Sequence, residues 1–268
     1  MRVLSIGDNC IDDYSELGKR FPGGNALNVA VYASRVEGVE ADYVGIIGTD
    51  DNGEYMIDQI EAQGISTEHI IREEGETAVT KILVRDGDRV FDEYIEGVQE
   101  DAELPFEKVP DPVNYDLIHF TIWGFGREHV EKLRENKNII ISCDFSSQLD
   151  DLRLEIMPYL DVSFFSGSHL IENNENPGPV LRKLKEKTPG LVVMTLGEYG
   201  SIVYDGIKML RGEAIPVDVV DTLGAGDAYI AEFLVNKVKG KTIRESIERG
   251  HLSATDICKR LGAWGGET

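Results

Sequence analysis

The stretch Asp221-Thr222-Leu223-Gly224-Ala225-Gly226-Asp227 says more about the fold than any other part of the chain. An apolar helical run, residues 228–234, follows it at once. Small residues let backbone N–H groups approach an anion, and the first turn of a helix has free N–H donors and a favourable dipole. A carboxylate at Asp227 would repel a resting phosphate, but it would help if it took a proton from a group attacking that phosphate. The alternative is a glycine-rich loop in which Asp227 only caps the helix.

Short apolar runs alternate with helical patterns along the chain. The predicted strands are residues 3–6, 43–47, 117–121, 139–143, 162–166, 191–195 and 202–204. The predicted helices are residues 25–36, 53–63, 127–135, 178–187, 227–239 and 242–260. Strands that are apolar on both faces and separated by helices predict an α/β fold with a mostly parallel sheet between helical layers.

One region departs from this alternation. Residues 77–84 and 89–95 are two β-like runs joined by Asp86-Gly87-Asp88. An Asp-Gly pair between such runs is typical of a β-hairpin. We therefore expect a small antiparallel insertion in the α/β chain.

Four segments resemble the PfkB, or ribokinase-like, family of sugar kinases. They are Asp221–Asp227, Gly23-Gly24-Asn25-Ala26-Leu27-Asn28-Val29-Ala30, residues 44–53 (VGIIGTDDNG) and Thr195-Leu196-Gly197-Glu198-Tyr199-Gly200, in the order and spacing of that family. The resemblance implies a ribokinase-like three-layer sandwich with a mostly parallel central sheet and a small antiparallel β lid. It implies a single kinase domain over residues 1–268, with the lid formed by roughly residues 9–20 and 76–100.

The resemblance also implies the reaction, an ATP-dependent phosphorylation of a primary hydroxyl. Asp227 is then the general base, and the backbone N–H groups of residues 224–227 (Gly224, Ala225, Gly226 and Asp227 itself) form an anion hole. Thr195, Gly197 and Gly200 are expected to hold ATP.

For the sugar, the resemblance assigns Asp8 and Asn28 to hydroxyl groups, with Gly23 and Gly24 letting the backbone come close. Asp8 also follows the first predicted strand, where ligands of open α/β sheets gather. Arg89 in the hairpin is predicted to orient a carboxylate or hydroxyl of the substrate. A solvated arginine explains that residue equally well.

The expected cofactors are ATP and Mg²⁺, with a monovalent cation as a further possibility. The family's Asn-x-x-Glu segment, which organises Mg²⁺, has no counterpart here. The corresponding strand end reads Phe165-Ser166-Gly167-Ser168-His169, with Glu172 following. Either Glu172 or water molecules would then have to organise the Mg²⁺ ion.

Segments outside the general signatures resemble the fructoselysine-phosphorylating members of the family. They are residues 7–10, 28–32, 89–91 with 94–98, 122–124 and 144–146. Three acidic residues of the hairpin, Asp92, Glu93 and Glu96, suit a substrate that carries an ammonium group, although solvated strand faces also explain them. Strand alternation places Asp92 and Glu96 on one face and Glu93 on the other. The alternatives are another acceptor (fructose, ribose or an inosine-like nucleoside) and a sugar-binding regulator without turnover.

Composition limits the partners. The net charge is −22, from 49 acidic and 27 basic residues, which disfavours nucleic acid and anionic membranes. The three cysteines are far apart and lack metal-ligand spacing, which indicates a reducing cytoplasm. No run approaches the ~20 apolar residues of a membrane helix. We expect a cytoplasmic homodimer whose partners are a small sugar substrate and ATP.

Overall fold

The computed structural model describes residues 1–85, 88–100, 102–150 and 152–264, with the side chains of residues 84–91 left out. The strands of this part are β1 (Arg2–Ile6), β2 (Cys10–Tyr14), β3 (Lys19–Gly23), β4 (Glu40–Val44), β5 (Ile46–Gly48), β6 (Ile71–Glu73), β7 (Val79–Arg85), β8 (Asp88–Ile95), β9 (Leu117–Thr121), β10 (Ile140–Asp144), β11 (Val162–Ser166), β12 (Leu191–Thr195), β13 (Ser201–Tyr204) and β14 (Met209–Gly212). The helices are α1 (Asn25–Ser34), α2 (Asp51–Ala62), α3 (Val130–Leu133), α4 (Ser168–Glu172), α5 (Pro177–Lys185), α6 (Ala225–Val238) and α7 (Ile243–Ile257).

An eight-stranded sheet forms the middle layer, in the order β14-β13-β12-β11-β10-β9-β1-β4. The six strands from β12 to β4 run parallel, and β13 and β14 add an antiparallel edge. Alternate residues face opposite layers: Leu4 and Ile6 pack in the core with α3 and α5, whereas Val3 packs in the core with α1 and α6. This arrangement confirms the α/β class and the mostly parallel central sheet.

A four-stranded sheet, in the order β3-β2-β7-β8, stands beside the large one. β7 and β8 pair antiparallel, which confirms the hairpin, while the predicted Asp86-Gly87 turn lies outside the described residues. Tyr14, Phe21 and Ile82 form a small core of its own beneath this sheet. The small sheet therefore contains residues 10–23 as well as the hairpin; it is antiparallel except between β2 and β7, which pair parallel.

The hairpin does not alternate as the sequence predicts. The register shifts after Lys81: Lys81 lies opposite Glu93 and Ile82 lies opposite Phe91, so Asp92 has no residue opposite it. Such a β-bulge re-aims the side chains around it. Asp92 and Glu93 consequently both line the same cleft, instead of facing opposite sides.

The strand predicted over residues 43–47 is wrong, because the chain breaks it at Gly45. β4 ends at Val44 in the large sheet, and β5 begins at Ile46 and pairs with β6 in a separate two-stranded sheet. A Cβ atom at Gly45 would lie 2.0 Å from the Tyr43 hydroxyl oxygen. The chain therefore passes between sheets where only a glycine fits. The predicted helix over 127–135 is also shorter, since α3 covers only Val130–Leu133.

Within the described ranges, no helix combines the length and the apolar character needed to cross a membrane.

Candidate active site

A cleft with a volume of about 1360 Å³ opens between the large sheet and the small one. It lies outside the carboxyl ends of the parallel strands, where open α/β sheets bind ligands. Its walls come from the end of β1, the small sheet, the segments after β8 and β9, and the start of α6. Predicted residues Asp8, Gly24, Asn28 and Asp227 all line it, so the fold brings together groups that are up to 219 positions apart, counting from 8 to 227.

Asp227 is the third residue of α6 and faces the cleft. Its carboxylate oxygen Oδ2 accepts a hydrogen bond of 2.7 Å from Nδ2 of Asn28, which lies on α1. The two helices pack directly against each other. The hydrogen bond and the helix packing therefore hold the carboxylate in a fixed position at the N-terminus of α6.

The environment raises the pKa of Asp227 well above its ordinary value. Burial of the carboxylate is the main cause, and repulsion from the Asp144, Asp8 and Asp12 carboxylates adds to it. The hydrogen bond from Asn28 acts in the opposite direction. A carboxylate with a raised pKa is a stronger base when it is ionised, which suits proton removal from a hydroxyl group.

The two glycines before Asp227 have different surroundings. Gly224 has φ +76°, and a Cβ atom there would lie 2.5 Å from the Tyr32 hydroxyl oxygen. Gly226 has nothing within 4 Å of such an atom and faces open space. The left-handed backbone therefore belongs to Gly224, and the open space lies at Gly226. Among the described residues, the N–H groups of Gly226 and Asp227 have no backbone acceptor, as expected at the first turn of a helix.

The Asp8 carboxylate accepts three hydrogen bonds from the protein. The donors are the backbone N–H groups of Asn25 (2.7 Å) and Ala26 (3.2 Å) and the Thr121 hydroxyl (2.7 Å). Asp8 thus holds the N-terminus of α1 against the end of β9. A carboxylate has about four acceptor positions, so one remains for a substrate hydroxyl. Its predicted sugar contact stays a prediction.

Gly23 and Gly24 are required by the protein itself. A Cβ atom at Gly23 would lie 1.9 Å from a carboxylate oxygen of Asp12, and one at Gly24 would lie 2.3 Å from Cα of Asn9. Gly24 also has φ +103°. The close packing at these positions therefore has a structural cause, independent of the predicted approach of a sugar.

Two further buried carboxylates near Asp8, Asp12 and Asp144, were not among the predicted site residues. Asp144 accepts hydrogen bonds from Asn25 Nδ2 (2.6 Å) and the Ser146 backbone (2.9 Å), and burial raises its pKa to about 6. Both carried a usable signal. Asp144 directly follows the strand predicted over residues 139–143 and is the last residue of β10. Asp12 lies two residues after Cys10 on β2, the strand that follows Asp8.

Asn28 has a second partner that no sequence pattern indicated. The indole N–H of Trp264 donates a 2.6 Å hydrogen bond to Asn28 Oδ1, and both side chains are buried. Trp264 lies 236 positions along the chain from Asn28. Contacts over such a distance are set by the fold, and the sequence alone gave no reason to expect this one.

The predicted nucleotide residues lie together at the turn between β12 and β13. The Thr195 hydroxyl donates to the Phe165 carbonyl oxygen (3.3 Å), and Gly197 is exposed with φ +59°. Gly200 is buried, and a Cβ atom there would lie 2.0 Å from the Gly212 carbonyl oxygen on β14. Gly197 thus remains accessible to a ligand, whereas the glycine at 200 is needed for packing.

The residues present do not form a ready Mg²⁺ site. In the part of the chain that the structure describes, no group of three or more His, Cys, Asp or Glu residues is arranged to hold a metal ion. Glu172 is exposed at the end of α4, which packs against the 197–199 turn. Its metal role stays a prediction. The side chain of Arg89, the remaining predicted substrate residue, lies outside the described part.

Two arginine side chains line the cleft. These are Arg127 and Arg153, and both donate to one carbonyl oxygen, that of Ile122, at 2.9 Å and 3.3 Å. The Arg153 guanidinium also lies over the Trp123 ring, 5.0 Å from its centre. Asp92 on β8 and Glu96 just after it also line the cleft. The cleft therefore offers acidic side chains, Asp92 and Glu96 among them, and two guanidinium groups along with the Asp227 carboxylate.

Comparison with known proteins agrees with this geometry. Residues 12–266 match the family model described as pfkB family carbohydrate kinase. The chain is 36% identical to the fructoselysine 6-kinase of Escherichia coli (strain K12), over 98% of this chain and 99% of that one. It is 31% identical to the fructosamine kinase FrlD of Bacillus subtilis (strain 168), over 99% and 93% of the two chains.

Among solved structures, the ribokinase of Arabidopsis thaliana complexed with ribose and ATP superposes with a TM-score of 0.84 at 18% identity. The superposition covers 98% of this chain and 94% of that one. At this identity the likeness establishes the common fold, which is the ribokinase-like fold expected from the four sequence segments.

Proposed function

This chain belongs to the pfkB family of carbohydrate kinases, and we propose that it transfers the terminal phosphoryl group of ATP to the primary hydroxyl of fructoselysine, giving fructoselysine 6-phosphate. The observation that carries the kinase chemistry is the Asp227 carboxylate, held by Asn28 beside the open space at Gly226. The acceptor is supported by the near full-length likeness to enzymes named for fructoselysine and fructosamine.

In the proposed reaction, Asp227 accepts the proton of the attacking hydroxyl. The hydroxyl oxygen forms a bond to the terminal phosphorus of ATP, and the bond from that phosphorus to the bridging oxygen breaks, which releases ADP. The N–H groups of Gly226 and Asp227 at the start of α6 stabilise the charge on the transferred group. The Ala225 N–H is less available, because it donates to the Thr222 carbonyl oxygen at 3.2 Å. Gly224 shapes the turn that aims these donors.

The charges along the cleft suit a glycated amino acid better than a neutral sugar. A fructosamine carries a secondary ammonium group, which Asp92 and Glu96 attract. Lysine adds a carboxylate, and the paired Arg127 and Arg153 guanidinium groups are suited to bind it. Both interactions lie outside the reacting carbon, so they provide binding energy for orientation.

The remaining predictions are part of the same proposal. The small sheet is the lid that excludes water from the reaction, since an exposed kinase site would hydrolyse ATP. Thr195 and Gly197 contact ATP, and Arg89 contacts the substrate. Mg²⁺ would accompany the ATP phosphates, and the proton transfer and phosphoryl transfer proposed here do not depend on its geometry. The monovalent cation, the homodimer and the cytoplasmic location stay predictions.

The test is a side-by-side measurement of ADP release with fructoselysine, fructose, ribose and inosine at matched concentrations. Fructoselysine should have the highest kcat/KM, because a desolvated charge in the cleft is left unpaired when a neutral sugar binds. The product should carry phosphate on the terminal carbon, as seen by phosphorus–proton coupling in NMR spectra.

Asp227→Asn is the matched control for all four acceptors. If this variant loses turnover with fructoselysine, the activity belongs to this site and not to a contaminating kinase. Equal or faster turnover of a neutral sugar by the wild type would reject fructoselysine and leave the carbohydrate kinase assignment standing. No ADP release with any acceptor would favour the sugar-binding regulator instead.

A further inference from the structure

The orientation of the Asn28 amide is fixed by Trp264. An indole N–H can only donate a hydrogen bond, so the group of Asn28 that faces it must be the carbonyl oxygen. The amide NH₂ is then left to face Asp227, where it donates at 2.7 Å. With the amide turned the other way, a carbonyl oxygen would face the carboxylate and an NH₂ group would face the indole N–H.

Trp264 is itself firmly anchored. It is 4% exposed, and its carbonyl oxygen accepts a 3.0 Å hydrogen bond from Arg35. The preceding residues hold the loop before α6: the Gly262 N–H donates to Asp221 at 3.1 Å, and the Tyr32 hydroxyl donates to the Ala263 carbonyl oxygen. The indole therefore reaches Asn28 from a segment that is already fixed to both α1 and the loop of Asp221.

We propose that Trp264 is a positioning residue for phosphoryl transfer, which acts through Asn28 to hold the Asp227 carboxylate ionised and aimed at the acceptor hydroxyl. This inference rests on the proposed function, in which Asp227 is the base. It assigns a role in catalysis to a side chain that is buried behind Asn28.

The role predicts a specific kinetic signature. Among the described residues, the titratable groups that act on Asp227 are Asp8, Asp12 and Asp144 around the cleft and Tyr32 on α1, and Trp264→Phe changes none of them. Loss of the donor from Asn28 should therefore shift only the protonation of Asp227. A shift of one pH unit corresponds to a tenfold loss on the acid limb of the rate profile.

The experiment compares Trp264→Phe with Trp264→His, measured as kcat and KM against pH. Phenylalanine keeps an apolar six-membered ring but has no N–H, whereas histidine is smaller and keeps a ring N–H. If Trp264 acts through its hydrogen bond, Trp264→Phe should move the acid limb of kcat up by about one pH unit with KM little changed, and Trp264→His should move it less. If only packing matters, histidine should be the more harmful substitution.

Two further variants complete the design: Asn28→Ala alone and Asn28→Ala combined with Trp264→Phe. In an Asn28→Ala background, Trp264→Phe should have no additional effect on kcat, since the residue through which it acts is gone.

An unchanged acid limb in Trp264→Phe, a further fall of kcat in the Asn28→Ala background, or a larger shift with histidine than with phenylalanine would each overturn the inference. Asp227→Asn separates this from the proposed function. Full activity of Asp227→Asn rejects Asp227 as the base, whereas an inactive Asp227→Asn with a normal Trp264→Phe rejects only the role of Trp264.

Discussion

The contrast between Gly224 and Gly226 gives a sharp prediction, because the two positions lie two residues apart and differ in what a methyl group would meet. Gly226→Ala places the methyl group in space that the protein leaves open. Replacing a helical glycine by alanine stabilises a protein by about 0.5–1 kcal/mol when the backbone allows it. We therefore expect an unchanged or slightly higher melting temperature, by roughly 2 °C.

Activity should change in the opposite direction. The methyl group of Gly226→Ala would stand where the proposed mechanism places the transferred phosphoryl group, and a displacement of about 1 Å can cost ~10²-fold in rate. Gly226→Val, with a larger side chain, should abolish turnover. Substitution at this position should thus separate folding from catalysis.

Gly224→Ala should instead destabilise the folded protein. A left-handed backbone costs a non-glycine residue about 1–2 kcal/mol, and the methyl group would also press on Tyr32 and Ala263, which adds about 1–3 kcal/mol. The expected loss is about 2–5 kcal/mol, or a melting temperature lower by roughly 5–15 °C.

The assay is thermal unfolding by circular dichroism alongside initial rates of ADP formation for both variants. Full activity of Gly226→Ala would refute the assignment of the open space to the phosphoryl group. A large drop in its melting temperature would show that the protein itself fills that space.

Further predictions concern the carboxylates and the arginines of the cleft. Asp227→Asn should lower kcat by ~10²–10⁴-fold with ATP affinity unchanged by calorimetry, because the substitution removes the proposed base and keeps the backbone donors. Wild-type kcat/KM should fall as pH decreases, with an acid limb above that of an ordinary aspartate, because the fold raises the pKa of Asp227 and only the ionised form is active. Asp144 has its pKa raised to about 6, so its contribution to stability is full below about pH 4 and is lost as pH rises through 6. Urea unfolding of Asp144→Asn should therefore show a gain relative to wild type that grows by up to about 3 kcal/mol from pH 4 to pH 7, and a pH-independent difference would contradict this. Arg127→Gln should raise KM for fructoselysine about tenfold but leave KM unchanged for the fructosamine of 1,5-diaminopentane, which lacks the carboxylate.

Much of the fold was predictable because its signals are local. Strands such as β9 and β11 are apolar on both faces, and the Asp-Gly pair between β7 and β8 marks their hairpin. The break at Gly45 was not predictable, since it depends on the Tyr43 hydroxyl and on the end of β1. The β-bulge after Lys81 likewise has no local sequence signal.

The site was predictable only where residues belong to a motif or follow a strand. Asp227 and Asn28 lie in the two strongest motifs, and both line the cleft. The contact between Trp264 and Asn28 needed the fold, because it joins the segment after α7 to α1. The pairing of Arg127 and Arg153 could likewise be seen only in the structure, because the two side chains meet at one carbonyl oxygen, that of Ile122.

The packing of α1 against α6, with both helices starting at the cleft, has an electrostatic consequence. The N-terminus of each helix is equivalent to about half a positive charge, so the pair supplies roughly one unit of fixed counter-charge beside four carboxylates. Backbone dipoles neither titrate nor dissociate, unlike lysine side chains or bound cations. Part of the charge compensation in this site is therefore independent of pH, and its acidic residues can lie close together without a permanent metal ion.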